Sequence, residues 1–112
     1  MQNHPEVMNK PLISPAIHTI LIAQMRDELR FGKQTYPDGT ISALSEQAEV
    51  FADVAKRAAV ERELSWTHIA LAEMYHALSQ EDPSQLYIEL SRVARTIVQW
   101  MENLNDTHGG TE

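Results

Sequence analysis

The stretch Ser65–Ala77, SWTHIALAEMYHA, constrains this chain more than any other. Wound as a helix at about 100° per residue, it gathers Trp66, Ile69, Ala70, Met74 and Ala77 on one apolar face. Glu73 falls near the middle of that face and His76 at its edge. A carboxylate aimed at a core must be paired, protonated or bound to a cation, because an unpaired buried charge costs several kcal/mol. The pattern alone leaves two readings open. Glu73 either makes a structural salt bridge or solvated contact at a helix interface, or it serves as a ligand.

The rest of the chain reads as further helices around this one. Ser14–Pro15 is a helix start, with Ser as N-cap and Pro at the first helical position. The first helix is expected over 16–31, with Ile17, Ile20, Leu21 and Met25 as its apolar stripe; Gln24 and Glu28 intrude on that stripe. Gly32–Thr40 is a loop, with Gly32 as a helix C-cap and Pro37-Asp38-Gly39 as a turn. Thr40 or Ser42 can cap a second helix over 41–62. Leu44, Ala48, Phe51, Ala55 and Ala58 share one side of it, and Glu46, Glu49 and Asp53 form an opposite, solvated side. Ser65 caps the third helix, expected to end near Gln80. Asp82-Pro83-Ser84-Gln85 has the form of a capping box and opens a fourth helix to about Leu104, with Leu86, Leu90, Val93, Ile97, Met101 and Leu104 as its stripe. Glu89 is placed on the flank of that stripe, at helical spacing from Thr96 and Trp100. The expectation is an all-α fold, a mostly antiparallel four-helix bundle. An irregular arm over 1–15 precedes a single helical domain over 16–104, and a polar, flexible tail follows over 105–112.

Composition narrows the functional classes. Of the 112 residues, 43% are hydrophobic and 22% charged, the balance of an ordinary globular domain. There is no cysteine, which excludes disulfides, thiolate metal sites and thiol nucleophiles. A net charge of -7 argues against a general nucleic-acid binder, though not against a local basic pocket for phosphate. No run of 18 apolar residues suggests a membrane span, and no basic stretch followed by a long apolar run suggests a signal peptide. A cytoplasmic location is the expectation. His4, His18, His68 and His108 have no metal-ligand spacing and read as surface or core-edge residues. Trp66 and Trp100 read as packing anchors. Arg26, Arg30 and Lys33 make a small basic patch near the loop.

Chemistry concentrates on Glu73, His76 and Glu89. They come from two helices linked by the tight Ser79–Asp82 turn, and the two carboxylates stand at comparable distances from it. Oxygen-rich clusters of this kind suit Mg²⁺ or Mn²⁺, and an imidazole shifts the preference toward Mn²⁺ or Zn²⁺. The same three side chains also suit a metal-free hydrogen-bonded cluster.

This spacing resembles the all-α nucleotide pyrophosphohydrolases of the MazG-like superfamily. Their E-x-x-E on one helix and E-x-x-D on the next correspond here to Glu73-Met74-Tyr75-His76 and Glu89-Leu90-Ser91-Arg92. Arg30-Phe31-Gly32-Lys33-Gln34 followed by Pro37-Asp38-Gly39-Thr40 is similar to the K-W-G-E-Q…P-D-G-T element of small phage and actinobacterial members. The run from Leu64-Ser65-Trp66 to Trp100-Met101-Glu102 is similar to theirs as well. The resemblance spans roughly 22–104 and implies a helical bundle that assembles as a dimer or higher homo-oligomer. It also implies Mg²⁺-assisted attack of water on a nucleoside triphosphate. Glu73 and Glu89 match the motifs, whereas His76 and Arg92 replace an acid in each. Losing two negative charges and gaining a positive one works against a pair of Mg²⁺ ions.

The resemblance therefore implies a MazG-like nucleotide-binding protein. It would be a divergent pyrophosphohydrolase that cleaves a nucleoside triphosphate to the monophosphate and pyrophosphate, weak or inactive because of His76 and Arg92. Glu73 and Glu89 would hold the Mg²⁺ or Mn²⁺, and His76 would be a ligand or water-orienting base. Glu28 would supply a replacement acid. Arg92, Arg95 and Lys33 would contact phosphate, with Gln24 a further substrate contact. The competing expectation is a non-catalytic, small acidic helical protein of the phage-encoded kind that blocks a protein partner or sequesters a nucleotide. In that case Glu73 keeps a structural partner such as Arg92 or Arg95.

Overall fold

A computed structural model describes residues 13–108. Most of the expected 1–15 arm, with His4, and the end of the tail lie outside the described residues. The described residues form four α-helices and a 3₁₀ turn, with no strand among them. The helices are α1 (Pro15–Phe31), α2 (Ser45–Val60), α3 (Trp66–Leu78) and α4 (Pro83–Thr107), and the 3₁₀ turn, Ser42–Leu44, runs into α2. The all-helical class and the four α-helices are as expected. The chain divides into two compact units between Thr35 and Tyr36, a boundary inside the expected 16–104 domain. None of the described helices is long and apolar enough to cross a membrane.

The first unit contains α1. Ser14 Oγ accepts from the Ile17 N–H at 3.2 Å, and Pro15 occupies the first turn, as the Ser-Pro pair predicts. Gly32 ends the helix. Its φ of 77° lies in the left-handed region open to glycine, and its N–H donates to the Glu28 carbonyl at 2.9 Å.

The second unit packs α2, α3 and α4 with α3 in the middle, in contact with both neighbours. Two aromatic pairs mark its two interfaces. Phe51 of α2 stacks on Tyr75 of α3 with ring centroids 4.8 Å apart. Trp66 of α3 stacks on Trp100 of α4 at 6.5 Å. A helix covered on both sides does not need one sharply apolar stripe. On α2 the expected stripe holds, with Ala48 and Ala58 buried and Leu44, Phe51 and Ala55 half-buried. Ala77, Leu86 and Val93 form the small core, with Ile97 packed against them.

Four local expectations are corrected. Neither Thr40 nor Ser42 caps α2 with its side chain. The free N–H groups are taken from a distance instead: Glu81 accepts from the Ser42 N–H at 2.9 Å, and the Leu78 carbonyl accepts from the Ile41 N–H at 3.1 Å. At the start of α4, Asp82 Oδ2 accepts from the Gln85 N–H at 2.9 Å, but the Gln85 side chain turns away from the cap and donates to Glu89, so the reciprocal half of the box is missing. The buried line of α4 runs through Leu86, Glu89, Val93 and Thr96, while Leu90 and Leu104 are exposed. It is turned by roughly half of one residue's 100° step from the expected stripe, which moves Glu89 from the flank to the inside. The helix also continues to Thr107, three residues into the stretch read as tail.

Where the chain leaves α2, Arg62 adopts a φ of 62°. The Arg62 N–H donates to the Ala59 carbonyl at 3.1 Å and the Glu63 N–H to the Ala58 carbonyl at 2.7 Å, a Schellman arrangement with arginine at the position glycine usually takes. Ser65 then caps α3 in a full capping box, accepting from the His68 N–H at 3.2 Å while His68 Nδ1 accepts from the Ser65 N–H at 3.0 Å. The acceptor role of Nδ1 puts the ring proton on Nε2 and gives His68 a structural task.

Candidate functional site

A cleft of about 510 Å³ opens between the three helices of the second unit. It exists because α2 and α3 present Ala48, Ala52 and Ala72 there, whose short side chains leave space that longer ones would fill. Around that space stand Glu49 from α2, Glu73 and His76 from α3, and Glu89 and Arg92 from α4. The four positions singled out on the two sequence motifs are thus brought together, as their placement on linked helices predicts.

Glu89 is the centre of the arrangement. It is 4% exposed, and its carboxylate is held from three directions. Gln85 Nε2 donates to Oε2 at 2.8 Å from one turn earlier on the same helix. Arg92 Nη1 reaches Oε2 at 3.1 Å and Oε1 at 3.3 Å from one turn later. His76 Nε2 approaches Oε2 at 3.5 Å across the α3–α4 interface. These contacts offset the loss of hydration that burying a carboxylate entails. Glu73 is half-buried, and Thr96 Oγ1, itself buried, donates to Glu73 Oε1. The partner of Glu73 is therefore a neutral hydroxyl; neither Arg92 nor Arg95 pairs with it. Among the described residues, no buried side-chain nitrogen or oxygen is without a hydrogen-bond partner.

The remaining expected site residues lie elsewhere. Arg95 is exposed on α4 and is not part of the cleft lining. Gln24, Glu28 and Lys33 belong to the first unit, where they line a second cleft of about 610 Å³ with Asp27, Phe31 and Gly32.

Three contributors were not singled out from sequence. Glu49, read as part of a solvated acidic face, is exposed but borders the cleft; its position beside Ala48 and before Ala52 was the available signal. Gln85 stands four residues before Glu89, a spacing at which helical side chains meet. Thr96 shares the helical row of Glu89.

The donor types at the cleft, carboxylate oxygens with an imidazole beside them, are those that a single hard cation would take. Carboxylate oxygens from three helices suit Mg²⁺ or Mn²⁺, and the exposed Glu49 side chain borders the cleft beside Glu73 and Glu89. Glu73 has one oxygen engaged by Thr96, while both oxygens of Glu89 face Arg92. No three His, Asp or Glu side chains among the described residues are drawn together into a ready cage. A cation would have to displace Arg92 from Glu89 to use both oxygens of that carboxylate.

Comparison of the chain with protein-family models, curated proteins and solved structures finds no match.

Proposed function

We propose that this chain is a divergent MazG-like nucleotide-binding protein. Its cleft takes a nucleoside triphosphate with one Mg²⁺ or Mn²⁺ and cleaves it, slowly, to the monophosphate and pyrophosphate. The observation that carries this reading is the convergence of Glu73, His76, Glu89 and Arg92 on one cleft. These positions correspond to the paired acidic motifs, which Glu73 and Glu89 match and in which His76 and Arg92 replace the second acid. In this reading Glu73 and Glu89 hold the cation. When bound, it neutralises phosphate charge and activates water. His76, which is half-exposed at the cleft, ligates the cation or orients the attacking water. The guanidinium of Arg92 binds phosphate oxygens, replacing by a fixed positive charge part of what a second metal ion would supply. A homo-oligomer is part of the same proposal.

One observation favours a second reading, in which the chain binds a nucleotide or a protein partner without catalysis. Both motif carboxylates already have protein partners, Thr96 for Glu73 and Gln85, Arg92 and His76 for Glu89. That is also how a purely structural polar cluster would be satisfied.

Pyrophosphate release separates the two. A panel of nucleoside triphosphates is incubated with wild type and with Glu73→Gln, in Mg²⁺ and in Mn²⁺. The catalytic reading expects turnover that falls by at least about 100-fold in the variant, the scale of losing one positioned catalytic group. Turnover that is absent in wild type, or equal in both proteins, refutes it.

A further inference from the structure

The Glu89–Arg92 pair is unequal. The Glu89 side chain is 5% exposed, whereas that of Arg92 is 56% exposed, and both face the cleft. Arg92 can leave by rotating its own side chain into solvent. Glu89 cannot follow, because Gln85 holds its Oε2 at 2.8 Å and the packed face of α4 surrounds it. Both contacts from Arg92 run through the single atom Nη1, so the pair lacks the two-nitrogen fork in which guanidinium binds most strongly. A phosphate that offers two oxygens to two guanidinium nitrogens can give Arg92 better geometry than Glu89 does.

The departure of Arg92 has a consequence for Glu89. A buried carboxylate stripped of its counter-ion is strongly destabilised unless another cation replaces it. A bare divalent cation entering the cleft must compete with Arg92 for the same oxygens. A bare phosphate must pull Arg92 away and leave Glu89 poorly compensated. When both arrive, the exchange balances: Arg92 passes from carboxylate to phosphate, and Glu89 passes from guanidinium to metal.

Resting on the nucleotide-binding reading, we propose that Arg92 is a coupling residue that makes cation and phosphate bind this cleft cooperatively. It covers Glu89 against a lone cation and uncovers it when a phosphate takes the guanidinium. Linkage then requires the effect to be reciprocal, with the cation raising phosphate affinity by the same factor. The ligand selected is a phosphate-bearing molecule together with its divalent cation, in preference to either alone.

The test is calorimetric and independent of turnover. Full-length protein is titrated with Mg²⁺ alone, with inorganic phosphate alone, and with Mg²⁺ at fixed phosphate, correcting for the weak association of the two in solution. In wild type, phosphate raises Mg²⁺ affinity by about tenfold, within the usual range of such couplings. In Arg92→Gln, Mg²⁺ alone binds more tightly than to wild type and phosphate no longer changes its affinity. Ligand-free melting curves establish that the variant is folded. If it is not, Arg92→Lys decides, with weakened coupling supporting the role of the guanidinium and undiminished coupling overturning it. Mg²⁺ and phosphate that bind wild type independently overturn the coupling and leave the nucleotide-binding reading standing. Wild type that binds neither of them, nor a nucleoside triphosphate, overturns both.

Discussion

Replacing Thr96 by valine removes one hydroxyl from the interior with almost no change of shape. Thr96 is 3% exposed, and its Oγ1 donates to the half-buried carboxylate of Glu73 across the α3–α4 interface. A hydrogen bond to a charged acceptor contributes about 1.5–3 kcal/mol, and the lower part of that range applies because Glu73 borders a cleft that water enters. The added methyl contributes about 0.8 kcal/mol in the opposite direction through apolar burial. Thr96→Val should therefore destabilise the second unit by about 1 kcal/mol, which lowers Tm by about 4–8 °C in a domain of 60–100 residues. The assay is urea unfolding of wild type, Thr96→Val, Glu73→Ala and the double variant. A coupling of about 1–2 kcal/mol in this cycle is the signature of the bond. If Thr96→Val is as stable as wild type and the two substitutions are additive, the hydroxyl does not hold Glu73, and the account of how that carboxylate is tolerated fails.

Two further predictions concern helix ends. Arg62→Gly should stabilise the protein by about 0.5–1 kcal/mol, since a β-carbon is unfavourable at the left-handed φ of this position; a drop in the urea midpoint would contradict the Schellman geometry. Ser65→Ala should cost about 1 kcal/mol by removing the acceptor for the His68 N–H. Ser65→Asp, which restores an acceptor, should recover most of that loss in the same measurement.

The helix starts were legible because their causes are local. Ser14–Pro15, Ser65 and Asp82–Pro83 each present an acceptor to an N–H three residues away, so reading a few neighbours suffices. The α2 stripe was legible for a related reason, since its apolar side chains recur at the helical period and meet one partner. The start of α2 was not legible. The N–H groups of Ile41 and Ser42, at the 3₁₀ turn that leads into it, are satisfied by Leu78 and Glu81, more than thirty residues along the chain, and no local motif announces such a bond. Nor was the choice made by Gln85, which is within reach of both the Asp82 backbone and Glu89. The buried carboxylate offers the charge-assisted bond, and the side chain goes there.

The candidate site divides along the same line. Sequence alone determined the chain's all-helical character, the helix starts with side-chain caps, and the presence of Glu73, His76, Glu89 and Arg92 on two linked helices. Those properties follow from spacing within a turn or two of helix. Tertiary packing decided how far each helix is rotated about its axis. Leu90 and Glu89 are adjacent in sequence, and either could have faced inward at the period of α4; contact with α3 put Glu89 inside and Leu90 outside. The same rotation set Thr96 against Glu73 and Arg92 at the edge of the cleft. Packing of α2 likewise left Glu49, from a helix face that sequence reasoning had assigned to solvent, beside the same space. Helical periodicity specifies which residues share a face, but only the neighbouring helix specifies which face is buried, because that choice depends on the summed fit of side chains distant in sequence.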